Sequence, residues 1–454
     1  MCMRLIGLIF LAVLVCSMNA FAQTPEQFAA IWEKEHVSNI APSDVRHADL
    51  KNYLDQLRKI GLPVSEVGRS NANREIYQVE WGHGPLKVFM WSQMHGDEPT
   101  ATSALVDMLT YLKKNPKEEL VRKIAETVTI RAVPMLNPDG AEMYQRRNLQ
   151  GIDINRDATD LKTPEARLLK QLRDDWSPEI GFNLHNQNSL TQVGRTPNQA
   201  SISLLVVYGD AAKTTSPGLE RNTRLASQIV LALQKFIPGH IGRYGDEYTS
   251  TAFGDNFTAW GTPVILIETG SLYGRDEMFL VKMNFVAFMT MLQGLATGSE
   301  ATQSTAPYLS LIENGSGTLV NFIFRRATIV NAPPPVSIPT TTLSPSPTPS
   351  PAPWTVADIA AVTERRRASM IAPTNIRSIG DLNNIRGLEE YNAGAFNVYQ
   401  RFGNAKAGEL AEFFFYKKDR KVDWTVTDLE KQFPPDAIFS TGKWVKGAGV
   451  VPKM

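Results

Sequence analysis

The chain has 454 residues, 43% apolar and 20% charged, which excludes a largely disordered protein and leaves room for two or three domains. Its 47 basic and 46 acidic side chains nearly cancel, and no basic run stands out, so nucleic acid is not an expected partner.

The N-terminus reads as a secretory leader. Arg4 supplies a positive start, residues 5–16 are apolar, and Ala20-Phe21-Ala22 is a small-x-small cleavage site before Gln23. The apolar run is short for a bilayer span. The expectation is therefore a cleaved leader (1–22), a secreted or periplasmic protein, and no stable membrane span afterwards. Cys2 and Cys16 both lie in this leader, so the mature chain has no disulfide and no thiol ligand.

Residues 25–60 are polar with helical spacing; Ser43-Asp44 is the expected cap, and Leu50, Leu54 and Leu57 share a face. From about residue 76, apolar runs alternate with amphipathic stretches. Strands are expected over 86–92, 127–134, 179–185 and 262–267, and helices over 99–113, 165–174, 221–236 and 278–295. This alternation predicts an α/β fold, a mixed and largely parallel sheet flanked by helices, over residues 23–300. A short β segment is expected over 301–332. Residues 333–354 are nearly all Pro, Ser and Thr and read as a linker, followed by a small β-rich region over 355–454 without a legible role. No internal repeat is present.

Three short strings carry chemistry. His95-Gly96-Asp97-Glu98 follows one strand, Asn183-Leu184-His185 ends another, and Glu268 ends a third, Val264-Ile265-Leu266-Ile267-Glu268. Alone, each is weak: an HxxE pair is common in solvated turns, and a His ending a strand is often a core residue. Together they occupy the carboxyl ends of strands, where open α/β sheets bind ligands. Two imidazoles and a carboxylate form a His₂Glu set, which leaves a fourth tetrahedral zinc position free for water. Glu268 is a candidate general base, since a carboxylate ending a buried strand needs a partner or a task. His36, His47, His83 and His240 match no motif.

With Asn137-Pro138-Asp139-Gly140, Arg146, Gly151-Ile152-Asp153-Ile154-Asn155-Arg156 and Ile267-Glu268-Thr269-Gly270 added in this order, the chain resembles zinc metallocarboxypeptidases of the pancreatic carboxypeptidase A type, in the manner of their shorter bacterial secreted members. The resemblance covers about residues 50–298. It implies one zinc ion per chain on His95, Glu98 and His185, with Asp153 orienting His95. It implies that Asn155 and Arg156 grip the terminal carboxylate of a peptide substrate. Arg146 would polarise the scissile carbonyl, with its neighbour Arg147 the substitute if the loop differs by one residue. Glu268 would shuttle the proton, and Tyr248, or else Tyr244, would close over substrate. The family's Asp-Leu-His is Asn183-Leu184-His185 here, and Asn-Arg-Asn is Asn155-Arg156-Asp157; neither change removes a ligand.

The expected activity is thus an exported, zinc-dependent carboxypeptidase acting on peptides with a free C-terminal carboxylate. Rival readings are a murein peptidase of the same fold cutting γ-D-glutamyl or diaminopimelate bonds, a deacylase resembling aspartoacylase, and a zinc-dependent binding protein without catalysis. Oligomeric state and side-chain preference are not legible.

Overall fold

A computed structural model describes residues 22–330 and 354–454. The leader up to residue 21 and residues 331–353 of the Pro/Ser/Thr-rich stretch lie outside the described residues. The chain divides into two units between Gly315 and Ser316.

The first unit is built on a sheet ordered β1-β2-β4-β3-β5-β9-β7-β8. Its strands are β1 (Val64–Arg69), β2 (Glu75–Gly82), β3 (Leu86–Ser92), β4 (Val128–Val133), β5 (Ile180–Asn186), β7 (Ile202–Val207), β8 (Ile241–Arg243) and β9 (Val264–Thr269). The centre is parallel (β4/β3, β3/β5 and β5/β9), with antiparallel pairs outside it (β1/β2, β2/β4 and β7/β9). A separate two-stranded ladder joins β6 (Gln192–Val193) to β10 (Asn314–Gly315).

Central strands are apolar throughout because both faces are covered. In β3, Val88 and Met90 enter one core, and Phe89 and Trp91 enter the other. The first core is closed by α1 (Pro25–Glu35), α2 (His47–Lys59), α3 (Thr100–Lys114), α4 (Glu119–Thr127), α7 (Pro217–Leu233) and α9 (Glu277–Thr297). Between them in the chain lie α5 (Pro138–Met143), α6 (Pro164–Trp176) and α8 (Phe253–Ala259); α6 and α8 cover the opposite face with Leu169, Trp176, Phe253 and Phe257. By length and apolarity α9 could cross a bilayer, yet most of it is buried against α1, α3, α4 and α7. A helix apolar all round is what such a central position requires.

The structure differs from the sequence reading in several places. Residues 25–60 are two helices separated by a turn, because Val37 and Ser38 leave helical geometry to donate their backbone N–H groups to the buried Asp107 carboxylate. Ser43-Asp44 lies in a short 3₁₀ turn rather than capping, and α2 is instead capped by Asp49, which accepts from the Arg46 N–H at 2.9 Å. Strands β1, β2, β7 and β8 are additional to those expected. The segment 301–332 is not one β piece: 306–309 is a short helix, α10 (Ala306–Leu309), β10 stays with the first unit, and Leu319–Val330 belongs to the second.

The second unit is a sheet of β11 (Leu319–Val330), β12 (Thr355–Thr363), β13 (Thr374–Gly380), β14 (Arg386–Asn392), β15 (Phe396–Gln400), β16 (Phe413–Lys417), β17 (Ala437–Ser440) and β18 (Lys443–Lys446). Its order is β13-β12-β11-β15-β16-β17-β18, and β14 also pairs with β11. One face carries a core of Phe322, Phe324, Phe413, Phe415 and Phe439. The Pro/Ser/Thr-rich residues therefore do not link two units as expected. They connect β11 to β12, which pair antiparallel from Phe322↔Ala361 to Ile329↔Thr355.

Candidate metal and hydrolytic site

The parallel register of β3, β5 and β9 brings three carboxyl ends to one edge. In β5 and β9 the side chains alternate: Phe182, Leu184, Ile265 and Ile267 face the larger core, so Asn183, His185, Leu266 and Glu268 face the other side. His185 and Glu268 are register partners. Beyond β3, the loop carrying His95 is held down by close backbone contact: a Cβ on Gly96 would sit 1.9 Å from the Gly140 carbonyl carbon. Asn137 ties the same region together, its Oδ1 accepting from Gly140 N at 2.8 Å and its Nδ2 donating to Met94 O at 3.1 Å. Asp139, fully buried, accepts from Ser70 Oγ, Ala72 N and Arg74 Nη1, which anchors this turn to the β1–β2 connection.

His95, Glu98 and His185 converge and are buried. His95 Nδ1 lies 2.9 Å from Glu98 Oε1 and 3.1 Å from His185 Nδ1, and His185 Nδ1 lies 2.7 Å from Glu98 Oε2. Two ring nitrogens at 3.1 Å hold at most one proton between them. A tetrahedral zinc ion with bonds of about 2.0–2.1 Å separates its nitrogen and oxygen ligands by roughly 3.3 Å. The donor set and spacing therefore suit such an ion. Asp153 Oδ1 accepts from His95 Nε2 at 3.0 Å, which fixes the tautomer with the Nδ1 lone pair toward the cluster. His185 Nε2 is buried without a hydrogen-bond partner among the described residues.

Electrostatics point the same way. Burial opposes charge on His95, yet the Glu98 and Asp153 carboxylates push its pKa up to about 9. Burial likewise opposes ionisation of Glu98, and the two imidazoles outweigh it and hold the carboxyl well below its usual range. At His185 burial prevails, and its pKa is lowered. Asp153 is also lowered: burial is outweighed by its hydrogen bond to His95, then by the charges of His95 and Arg146. The carboxylates of Glu98 and Asp153 thus favour positive charge at His95.

Arg146 belongs to the cluster. Its Nε and Nη2 both lie 2.9 Å from Asp153 Oδ2, which turns Nη1 to 3.1 Å from His95 Nδ1 and 3.4 Å from Glu98 Oε1. Arg147 is not brought in; it is exposed, and its Nη1 donates to Gly151 O within its own loop. Asn155 Oδ1 accepts from Phe253 N at 3.0 Å, which joins the Asp153–Arg156 turn to α8. Arg156 is exposed on that turn, its Nη1 donating to Asn155 O.

Of the two tyrosines, Tyr244 is the one on which the charges of the site act. Its phenol pKa is pushed up to about 12, first by the Glu268 carboxylate, then by burial and by Glu98, against the pull of Arg146 and Arg156. Tyr248, further along the same loop, is almost equally exposed, at 37% against 36% for Tyr244. The sequence reading also passed over Asp255, whose carboxylate accepts from Thr249 N at 2.8 Å; burial raises its pKa, and Arg156 is the charge acting against that. Its place directly after Phe253-Gly254 was the available signal.

Comparison with known proteins agrees with this geometry. Residues 51–251 match the zinc carboxypeptidase family model. Carboxypeptidase 2 of Trichophyton rubrum is 32% identical over 100 residues, 22% of this chain and 18% of that protein. Carboxypeptidase SOL1 of Arabidopsis thaliana is 33% identical over 143 residues, 28% of this chain and 29% of that protein. The chain thus spans less than a third of the length of these curated relatives. The crystal structure of a metallo-carboxypeptidase from Burkholderia cenocepacia aligns with a TM-score of 0.44 at 15% identity, over 54% of this chain and 68% of that one. Over residues 51–251, then, this chain is similar to the zinc carboxypeptidase family.

Proposed function

We propose that the first unit is a zinc-dependent carboxypeptidase that hydrolyses the last peptide bond of substrates with a free C-terminal carboxylate. The observation that carries this reading is the convergence of His95, Glu98 and His185 with Glu268 in register beside His185. When bound, zinc supplies Lewis acidity, which polarises a carbonyl and acidifies water.

The protein residues do the rest. His95, His185 and Glu98 would hold the ion, while Asp153 keeps the Nδ1 lone pair of His95 toward the cluster. Glu268 takes a proton from the attacking water and passes it to the leaving amine. Arg146, braced on Asp153, offers Nη1 to the oxygen on which charge develops. Arg156, exposed on its turn with one guanidinium nitrogen donating to Asn155 O, suits the substrate carboxylate, and Asn155 holds that turn against α8. Tyr244, on whose phenol the Glu268 charge acts, is the tyrosine assigned to the substrate side. Export belongs to the same proposal and is supported by the leader pattern alone.

The test is a peptide mixture presented with free and with amidated C-termini and read by mass spectrometry. Stepwise loss from free ends only, abolished in Glu268→Gln, is the expected result. Cleavage of both forms alike, or of neither by zinc-loaded protein, overturns the reading.

A further inference from the structure

The second unit carries a groove of its own, far in sequence from the hydrolytic cluster. Register explains how it forms. Thr328 on β11 pairs with Asn397 on β15, which pairs with Tyr416 on β16, so all three side chains stand on one face. Their neighbours Ile329, Val398 and Phe415 stand on the other, inside the aromatic core. The outer face is partly covered by the excursion between β16 and β17, which packs Val422, Trp424 and Phe433 on Tyr399 and Tyr416. Where that cover ends, a cavity of about 760 Å³ opens, within the range typical of small-ligand sites.

Three features of its lining converge. Trp354, 50% exposed, meets Trp424 edge to face with ring centroids 6.0 Å apart, and Tyr399 stacks on Trp424 at 6.2 Å. At the floor, Thr328 Oγ1 and Asn397 Oδ1 are buried without a hydrogen-bond partner among the described residues, and each side chain is only 5% exposed. Leaving such atoms unpaired costs about 1–3 kcal/mol each, a cost that a polar ligand removes. Around the rim, Lys418, Arg420 and Lys421 face a single acid, Asp423. Arg420 is engaged by Asp436, and Asp423 by Thr425, whereas Lys418 and Lys421 form no ion pair among the described residues.

We propose that this groove binds an acidic oligosaccharide. Aromatic faces and edges at a rim suit the C–H faces of sugar rings, unpaired hydroxyl and amide oxygens at the floor suit sugar hydroxyls, and two free lysines suit carboxylates along the chain. An apolar peptide would leave Thr328 Oγ1 and Asn397 Oδ1 unpaired. A purely anionic ligand would leave the tryptophans idle.

The test is isothermal titration of the full-length chain with tetragalacturonate, with cellotetraose as the neutral counterpart and an acidic, proline-rich peptide as the rival. Tetragalacturonate binding that falls at least tenfold in Trp354→Ala supports the proposal, because that exposed side chain can be removed without opening the core. The double variant Lys418→Gln/Lys421→Gln should lose the preference over cellotetraose, and so should the wild type in 1 M salt. Glu268→Gln should bind like the wild type. Binding of neither sugar, equal binding of both sugars by the wild type, unchanged affinity in Trp354→Ala, or Trp354-dependent binding of the peptide alone would each overturn it.

Discussion

His185 and Glu268 are direct register partners on adjacent parallel strands, and both side chains leave the sheet on the side away from its larger core. A residue of the candidate metal cluster and the candidate base are thereby spaced by the sheet itself, without help from a loop. The spacing is as rigid as the most buried strands of the fold, which is how a hydrolytic site holds its reacting groups in place.

Changing Glu268 to Gln should leave zinc content and melting temperature close to wild type while peptide turnover falls about 10²–10⁴-fold, the range for loss of a positioned general base. Metal analysis beside kcat on one preparation checks this. Equal loss of zinc would assign Glu268 to the metal cluster instead.

Asp153 has two duties, orienting His95 through Oδ1 and bracing Arg146 through Oδ2. Asp153→Asn should weaken zinc binding about 10–100-fold, the usual effect of removing a carboxylate behind a ligating histidine. Because Arg146 loses its brace as well, kcat should remain below wild type even at saturating zinc. Chelator competition reads the first effect and metal-saturated kinetics the second.

Chelation should lower the melting temperature, and added zinc should restore it. At free zinc one hundred times its Kd the ion adds about 2.7 kcal/mol. His95→Ala, which lacks a ligand, should show a much smaller shift in the same calorimetric comparison.

Asp107 is buried and accepts from Trp32 Nε1, Val37 N, Ser38 N and Ser38 Oγ, so it fastens the N-terminal segment to α3. Asp107→Asn turns an amide N–H₂ toward a donor and should cost about 1–3 kcal/mol. Burial raises the Asp107 pKa above its usual 3.8, so the folded chain keeps this proton to higher pH than the unfolded chain does. The group's contribution to stability is then largest below that interval and declines as pH rises through it. The stability gap between wild type and Asp107→Asn should accordingly be widest below pH 3.8 and narrow as pH rises, as urea unfolding at several pH values would show.

The sequence revealed most of what makes the site and less of what frames it. His95, His185 and Glu268 were legible because each ends or follows an apolar run, with Glu98 in the turn after His95, and strand ends at one sheet edge are where such residues meet. Arg146 was preferred to Arg147 from its offset to Asn155, and in the structure it is Arg146 that forks onto Asp153 while Arg147 turns to Gly151 O. Tyr248 was preferred to Tyr244 only from its distance to Phe253 and Gly261, because a loop has no periodicity from which to read direction. Strand β1 escaped notice because, as a half-exposed edge, Val64-Ser65-Glu66-Val67-Gly68-Arg69 lacks an apolar stripe. The Ile202–Val207 run of β7 was legible and was passed over. The Pro/Ser/Thr-rich stretch was misjudged because composition reports stiffness and solvation and says nothing about which strands its two ends enter.

That last placement has a practical consequence. Since β11 and β12 remain hydrogen-bonded on either side of residues 331–353, a protease cutting anywhere in that stretch would produce two polypeptides but not two particles. They should co-elute in gel filtration and separate only in denaturant, and the larger fragment should take with it the strand that the smaller one needs to complete its sheet. A nick there would be silent, whereas separating the two units intact requires a cut near Gly315.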